Sequence, residues 1–261
     1  MVAVLAPLTL ELAVPGAFLE VALFGLALYR GLHRRFPIFT AYVGLVVAKD
    51  VSGWCIQYSV GIESLAYFYT YWVLQGILVI VRGLVVAEIF HKILWPYRGV
   101  WIFARLALSL TATLLVIYAA VKSAASAWQL GGAVLAGERG LEFAVVGTLL
   151  ALLAICRYYG VALDRPTTAL ALGLTLYSSL IIVNNTVLLK YPGLYIQIWS
   201  MMRRISYDAA LLMWLWPLLH PLPEPATAPA LITSADYQEL APALSGRMRD
   251  LNDRLLDIFQ R

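Results

Sequence analysis

Residues 67–90, YFYTYWVLQGILVIVRGLVVAEIF, decide the fold. The run is apolar almost throughout, with Arg82 and Glu88 as its only charges. As an α-helix, rising about 1.5 Å per residue, it is long enough to cross a hydrocarbon core of roughly 30 Å. A membrane-spanning barrel strand would alternate polar and apolar residues over about 10 positions, and this stretch does not. Its polar residues have order within the helix. Tyr71, Gln75 and Arg82 follow a 4-7 spacing with Tyr67 one turn earlier, so they form one stripe. Such a stripe is expected to face protein or water rather than lipid.

The rest of the chain repeats the pattern. Apolar runs fall at 9–30, 37–58, 67–90, 101–121, 140–160, 168–189 and 195–219. The 261 residues are 62% hydrophobic and 13% charged, with a mean hydropathy of +0.80. Soluble domains carry about 25% charged residues, so this is the composition of a membrane protein. Pro37, Pro96, Pro166 and Pro192 mark run boundaries. The expectation is an all-α membrane protein of seven transmembrane helices, residues 1–219. The first run extends to Arg30 without a basic segment before it, which predicts a signal-anchor rather than a cleaved signal peptide.

Orientation follows from charge. The connections after the first, third and fifth runs hold Arg30, Arg34, Arg35, Lys92, Arg98, Arg157 and Arg165, while the other side holds Lys122, Arg139 and Lys190. That bias places the N-terminus outside and the C-terminus in the cytoplasm of a bacterial inner membrane. Trp54, Trp72, Trp128 and Trp199 are expected at the outer interface, and Trp95, Trp101, Trp214 and Trp216 at the inner one. Residues 122–139 read as the longest outer loop. The net charge of +4 comes mostly from loop ends, so it reports topology and no nucleic-acid partner. Cys55 and Cys156 fall at opposite ends of their runs, which excludes a disulfide between them.

Function has to lie with charges inside the runs. Glu20, Lys49, Asp50, Arg82, Glu88, Arg203, Arg204 and Asp208 all sit within apolar segments, and each costs roughly 2.5–3.5 kcal/mol at the bilayer centre on insertion scales. Arg204 and Asp208 are four residues apart and can pair on one face. Asp50 and Arg82 are expected as neighbours in a polar interior built from the second, third, sixth and seventh runs, with Glu20 supplied by the first. Asn184 and Asn185 lie at a similar depth in the sixth run. The candidate ligand or ion-pathway residues are therefore Glu20, Lys49, Asp50, Arg82, Asn184, Asn185, Arg203, Arg204 and Asp208. Paired arginines with asparagines suit an anion such as a carboxylate or phosphate. The alternative is that acids and bases simply neutralise one another and fix helix register.

The tail divides in two. Residues 220–236 are a Pro/Ala-rich linker. In 237–261, Tyr237, Ala241, Leu244, Met248, Leu251, Leu255 and Ile258 follow the 4-3 spacing of a coiled-coil seam. Its polar face mixes Arg with Asp, unlike a helix made for anionic lipid, so contact with a protein partner or a second copy is expected.

Signals for chemistry are missing. His33, His91 and His220 all map to cytoplasmic helix ends, which does not suit an intramembrane haem or metal. No Cys/His ligand spacing, nucleotide loop or nucleophile with a base partner occurs, so no cofactor and no enzyme are expected. Seven helices with the N-terminus outside resemble rhodopsins and G-protein-coupled receptors in topology alone. The last run, LYIQIWSMMRRISYDAALLMWLWPLL, lacks the mid-helix lysine a retinal protein needs. The segment YFYTYWVLQGILVIVRGLVVAEIFHKILWPYRG, 67–99, is similar to multi-pass membrane proteins of soil bacteria with no assigned activity. That resemblance covers the first half of the chain and implies topology without a mechanism. The leading expectation is a sensor or binding module for a small polar or anionic ligand, coupled to the cytoplasmic helix. An ion channel or proton-coupled transporter, and a structural accessory subunit, are the alternatives.

Overall fold

The computed structural model describes residues 13–61, 64–124, 129–159, 161, 163–190 and 196–219, with isolated positions of the tail between 246 and 258. The described chain is helical, with no strand among the described residues. Its elements are α1 (Ala13–Tyr29), α2 (Leu32–Arg35), α3 (Pro37–Val60), α4 (Leu65–Leu94), α5 (Arg98–Ala124), α6 (Gln129–Tyr159), α7 (Arg165–Lys190) and α8 (Ile196–Leu219).

Among the described residues, five segments are long and apolar enough to cross a membrane: Pro37–Val60, Leu65–Leu94, Gly99–Val121, Gly137–Tyr158 and Arg165–Asn184. Seven were expected. The first run begins before the described residues, and what is described of its apolar helix, Val14–Tyr29, is short. α8 carries Arg203 and Arg204 in its first half and Asp208 just past its middle, which dilutes its apolar character.

Several helix boundaries have a local cause. Gly31 takes φ +71° between α1 and α2, a left-handed turn that suits glycine. Pro37 opens α3, where its missing N–H costs nothing. The next two amides, of Ile38 and Phe39, donate to the two carboxylate oxygens of Glu88 on α4, at 3.0 Å each. A carboxylate on a helix N-terminus satisfies orphan N–H groups and meets the positive end of the dipole. Glu88 is thereby accounted for. Ser64 caps α4 by accepting from the Tyr67 amide at 3.1 Å. Asp164 accepts from the Thr167 hydroxyl at the start of α7 and pairs with Arg35 of α2 at 2.7 Å.

The helices close a ring. Neighbours in order are α1, α3, α4, α6, α7 and α8, with α8 returning to α1. α5 stands outside this ring against α4 and α6, while α4 touches α7 across it. Two layers fill the interior. Phe36, Phe39, Ile89, Leu149, Leu152, Leu174, Leu211, Trp214 and Leu218 are essentially fully buried and form a dry plug. They occupy the start of α3 with the residue before it, the first half of α7 and the later parts of α4, α6 and α8, one end of the bundle. Phe39 meets Trp214 edge to face at 5.2 Å. Trp214 was expected at the membrane interface. It is instead 1% exposed, because Gly173 on α7 leaves room for its ring: a Cβ there would overlap the indole.

One other expectation changes. The 122–139 segment is not a long loop, since α5 continues to Ala124 and α6 begins at Gln129. Gly137 and Gly140 face Ala119 and Leu115 of α5, and a Cβ at Gly140 would overlap the Leu115 side chain, so Gly140 serves close helix packing. In the tail, Leu251 and Leu255 are partly buried against the bundle core, whereas Ile258 is exposed. The other seam residues, and the linker 220–236, lie outside the described residues.

Candidate functional site

On the other side of the plug the ring helices line a partly open cavity of about 260 Å³. Its walls come from α1 (Gly16, Glu20), α3 (Tyr42, Val46, Lys49, Asp50), α4 (Gln75, Leu78, Arg82), α7 (Tyr177) and α8 (Met201, Arg204, Tyr207). The same helix faces that bury large apolar side chains in the plug turn polar here. On α3 the change comes after Val43, on α4 before Val85, and on α8 before Ala210.

Five of the expected site residues therefore line one cavity: Glu20, Lys49, Asp50, Arg82 and Arg204. Asp208 borders it. A Cβ on Gly16 would lie 2.9 Å from Asp208 Oδ1 and 3.7 Å from Arg204 Nε, so both groups press against α1 at its glycine. The expected Arg204–Asp208 adjacency on one face of α8 holds in that sense. Arg204 also lies within electrostatic reach of Glu20 and Asp50. Tyr207 directs its hydroxyl toward the Glu20 carboxyl. Asn184 is buried on α7 but is not part of the cavity wall. The side chains of Asn185 and Arg203 lie outside the described residues.

The expected Asp50–Arg82 pair does not form as drawn. Arg82 is ion-paired instead with Glu142 of α6, and the side chains are 4% and 1% exposed. The rings of Tyr42 and Tyr177 flank the guanidinium at 5.8 and 5.2 Å. A second bridge lies beyond it. Lys49 donates to Gln75 Oε1 at 2.5 Å, and Gln75 Nε2 donates to Glu138 Oε1 at 3.0 Å. Lys49 also stands 4.9 Å from the Tyr71 ring centre. Gln75 and Arg82 are seven residues apart on α4, and Glu138 and Glu142 four apart on α6, so the two bridges sit about 6–10 Å apart along the bundle.

Glu138 and Glu142 were missed in the sequence. Their signal was present: two acids at i,i+4 on one helical face. Reading 122–139 as a loop removed Glu138 from the helix and left Glu142 at a run's edge. With both counted, the balance of four acids against four bases no longer holds. Around the cavity, Glu20, Asp50, Glu138, Glu142 and Asp208 stand against Lys49, Arg82 and Arg204 among the described side chains.

Such a wall can hold a ligand that offers charges of both signs. Arg82 Nε, Glu142 Oε2 and Asp208 Oδ1 are buried and make no hydrogen bond among the described residues. No cluster of three His, Cys, Asp or Glu side chains that could hold a metal ion occurs among the described residues. No protein-family model, curated protein or solved structure matches the chain.

Proposed function

We propose that the protein is a binding module of the sensor type, embedded in a bacterial inner membrane, whose interior cavity takes a small zwitterion. The observation that carries this reading is the composition of the cavity wall, with two carboxylates and three cationic groups contributed by four of its five helices. The proposal includes seven crossings, with the N-terminus outside and the C-terminus inside. α1 and α8 complete the ring that lines the cavity, and their charges face that interior rather than lipid, which supports counting them as spans. Both N- and C-terminal ends of the ring then fall on opposite sides of the bilayer.

The charge balance narrows the ligand. A purely anionic molecule at Arg204 would also meet Glu20, Asp50 and Asp208. Arg82 is already neutralised by Glu142. A ligand with a carboxylate for Lys49 and Arg204 and an ammonium for Glu20 and Asp50 satisfies both sets. A volume near 260 Å³ is below the roughly 300–1,000 Å³ of drug-sized sites, so the ligand is of amino-acid scale. Leu251 and Leu255 against the bundle give the tail a route to respond when the ring rearranges.

The test is thermal unfolding of the purified full chain with amino acids, monocarboxylates and primary amines. Zwitterions at about 100 times Kd stabilise by roughly 2.7 kcal/mol. The single-charge molecules do so less, and Arg204→Ala or Asp50→Asn abolishes the shift. A panel that leaves the unfolding curve unmoved, or variants that keep the wild-type shift, sinks the reading.

One observation favours a second reading, proton-coupled transport. Lys49, Gln75 and Glu138 form a continuous hydrogen-bonded bridge from the cavity into α6. Protein reconstituted in liposomes would then move protons or substrate, and Asp50→Asn would stop the flux. Silent liposomes with intact ligand binding leave the sensor reading.

A further inference from the structure

A second, larger cavity of about 570 Å³ lies between α4, α5 and α6, outside the ring and away from the polar site. It exists because α5 packs closely on α6 and only lightly on α4. It also exists because α4 presents Gly76 and Gly83 there. A Cβ at these glycines would meet Val134 at 3.4 Å and Leu141 at 3.6 Å, contacts of ordinary length. Close helix approach therefore does not require glycine at either position. What their missing side chains leave is open apolar volume.

The cleft is long and narrow in chemistry. Along α5 it runs from Arg105 to Ala119, about 21 Å of helix. Its wall is almost wholly apolar, and among the described residues Arg105 is the one charged residue in it. Arg105 is exposed and sits at one extremity, the end of the bundle that also carries Lys92 and Arg157. An apolar slot with a cation at its mouth complements an amphiphile with a hydrocarbon chain and an anionic head. In a bilayer that molecule is at hand, and an apolar cleft open to acyl chains is filled by one.

We infer that the α4–α5–α6 cleft is a site for an anionic phospholipid, with one acyl chain along Gly76 and Gly83 and the phosphate at Arg105. The bound lipid fills the seam where α5 is otherwise loosely held. It thereby ties α5 to α4 as well as to α6.

The experiment uses the full chain in nanodiscs containing equal phosphatidylglycerol and phosphatidylcholine, followed by transfer to detergent and native mass spectrometry. The wild type retains one phosphatidylglycerol, in roughly fivefold preference to phosphatidylcholine, the effect of one basic side chain at an anionic headgroup. Arg105→Gln, on an exposed side chain, keeps a retained lipid but brings the preference to near unity. Ala112→Phe, also exposed and lining the cleft, fills the slot and removes the retained lipid while Arg105 is intact. Equal retention of both lipids by the wild type overturns the proposal. So does a preference that survives Arg105→Gln, or occupancy that survives Ala112→Phe.

Discussion

Arg82 of α4 and Glu142 of α6 form an ion pair with both side chains buried, sealed between the Tyr42 and Tyr177 rings. The pair bridges two ring helices across the floor of the polar cavity. Removing one partner strands a buried charge, which costs about 3–5 kcal/mol, whereas replacing both with apolar residues of similar size is often neutral or stabilising. Arg82→Met or Glu142→Leu alone is therefore expected to destabilise strongly, and the double variant to recover most of the loss. Thermal unfolding in detergent checks this. Additive effects in the double variant would show that the two groups are not each other's main partner.

Glu88 tests a different kind of charge. It sits inside the apolar run of α4, yet its carboxylate accepts from the Ile38 and Phe39 amides at the start of α3. Glu88→Ala removes the cap and is expected to cost about 0.5–2 kcal/mol, the usual range for N-cap loss. Hydrogen exchange at the Ile38 and Phe39 amides should accelerate while the middle of α3 stays protected. Unchanged exchange there would mean the amides find other acceptors.

Much of this arrangement was legible in the sequence, and the failures have a common cause. The stripe of Gln75 and Arg82 was read from spacing alone, and both side chains are buried. Glu20, Lys49, Asp50, Arg82 and Arg204 were placed together because their depths agree, and they line one cavity. Pairing was not legible, because depth does not fix which faces meet. Glu138 was hidden by Gly131, Gly132 and Gly137, which read as a loop, and Glu142 fell at the edge of the run that starts at Gly140. In a soluble helix each glycine costs about 0.5–1 kcal/mol relative to alanine. Between membrane helices, glycine permits close approach, as Gly140 does against Leu115 of α5. Trp214 failed for the same reason, since Gly173 makes the space that takes it into the core.

Gly173 is thus predicted to tolerate no side chain. Gly173→Ala places a Cβ within the Trp214 indole, and overpacking of this kind costs typically 1–3 kcal/mol. The unfolding midpoint should fall and Trp214 fluorescence should shift. Pairing the change with Trp214→Leu relieves the overlap and should restore part of the stability. A Gly173→Ala variant as stable as the wild type would show that α7 and α8 can part at no cost.

Topology has its own probe in the two free cysteines. Cys55 is exposed near the end of α3, and Cys156 is buried near the end of α6. α3 runs from the plug toward the cavity end, and α6 runs from Glu138 and Glu142 toward the plug, so the two thiols lie at opposite ends of the ring. With seven crossings and the N-terminus outside, Cys55 belongs at the outer surface and Cys156 at the inner. A membrane-impermeant maleimide added to intact spheroplasts should label Cys55, and Cys55→Ser should abolish the signal. Cys156 should react only after denaturation, because burial rather than sidedness protects it. Moving the thiol separates those two effects. In a Cys55→Ser background, Arg98→Cys, in the connection rich in Lys and Arg, should label in inverted vesicles and not in spheroplasts. Labelling of Arg98→Cys from outside would invert the orientation and place the polar cavity toward the cytoplasm.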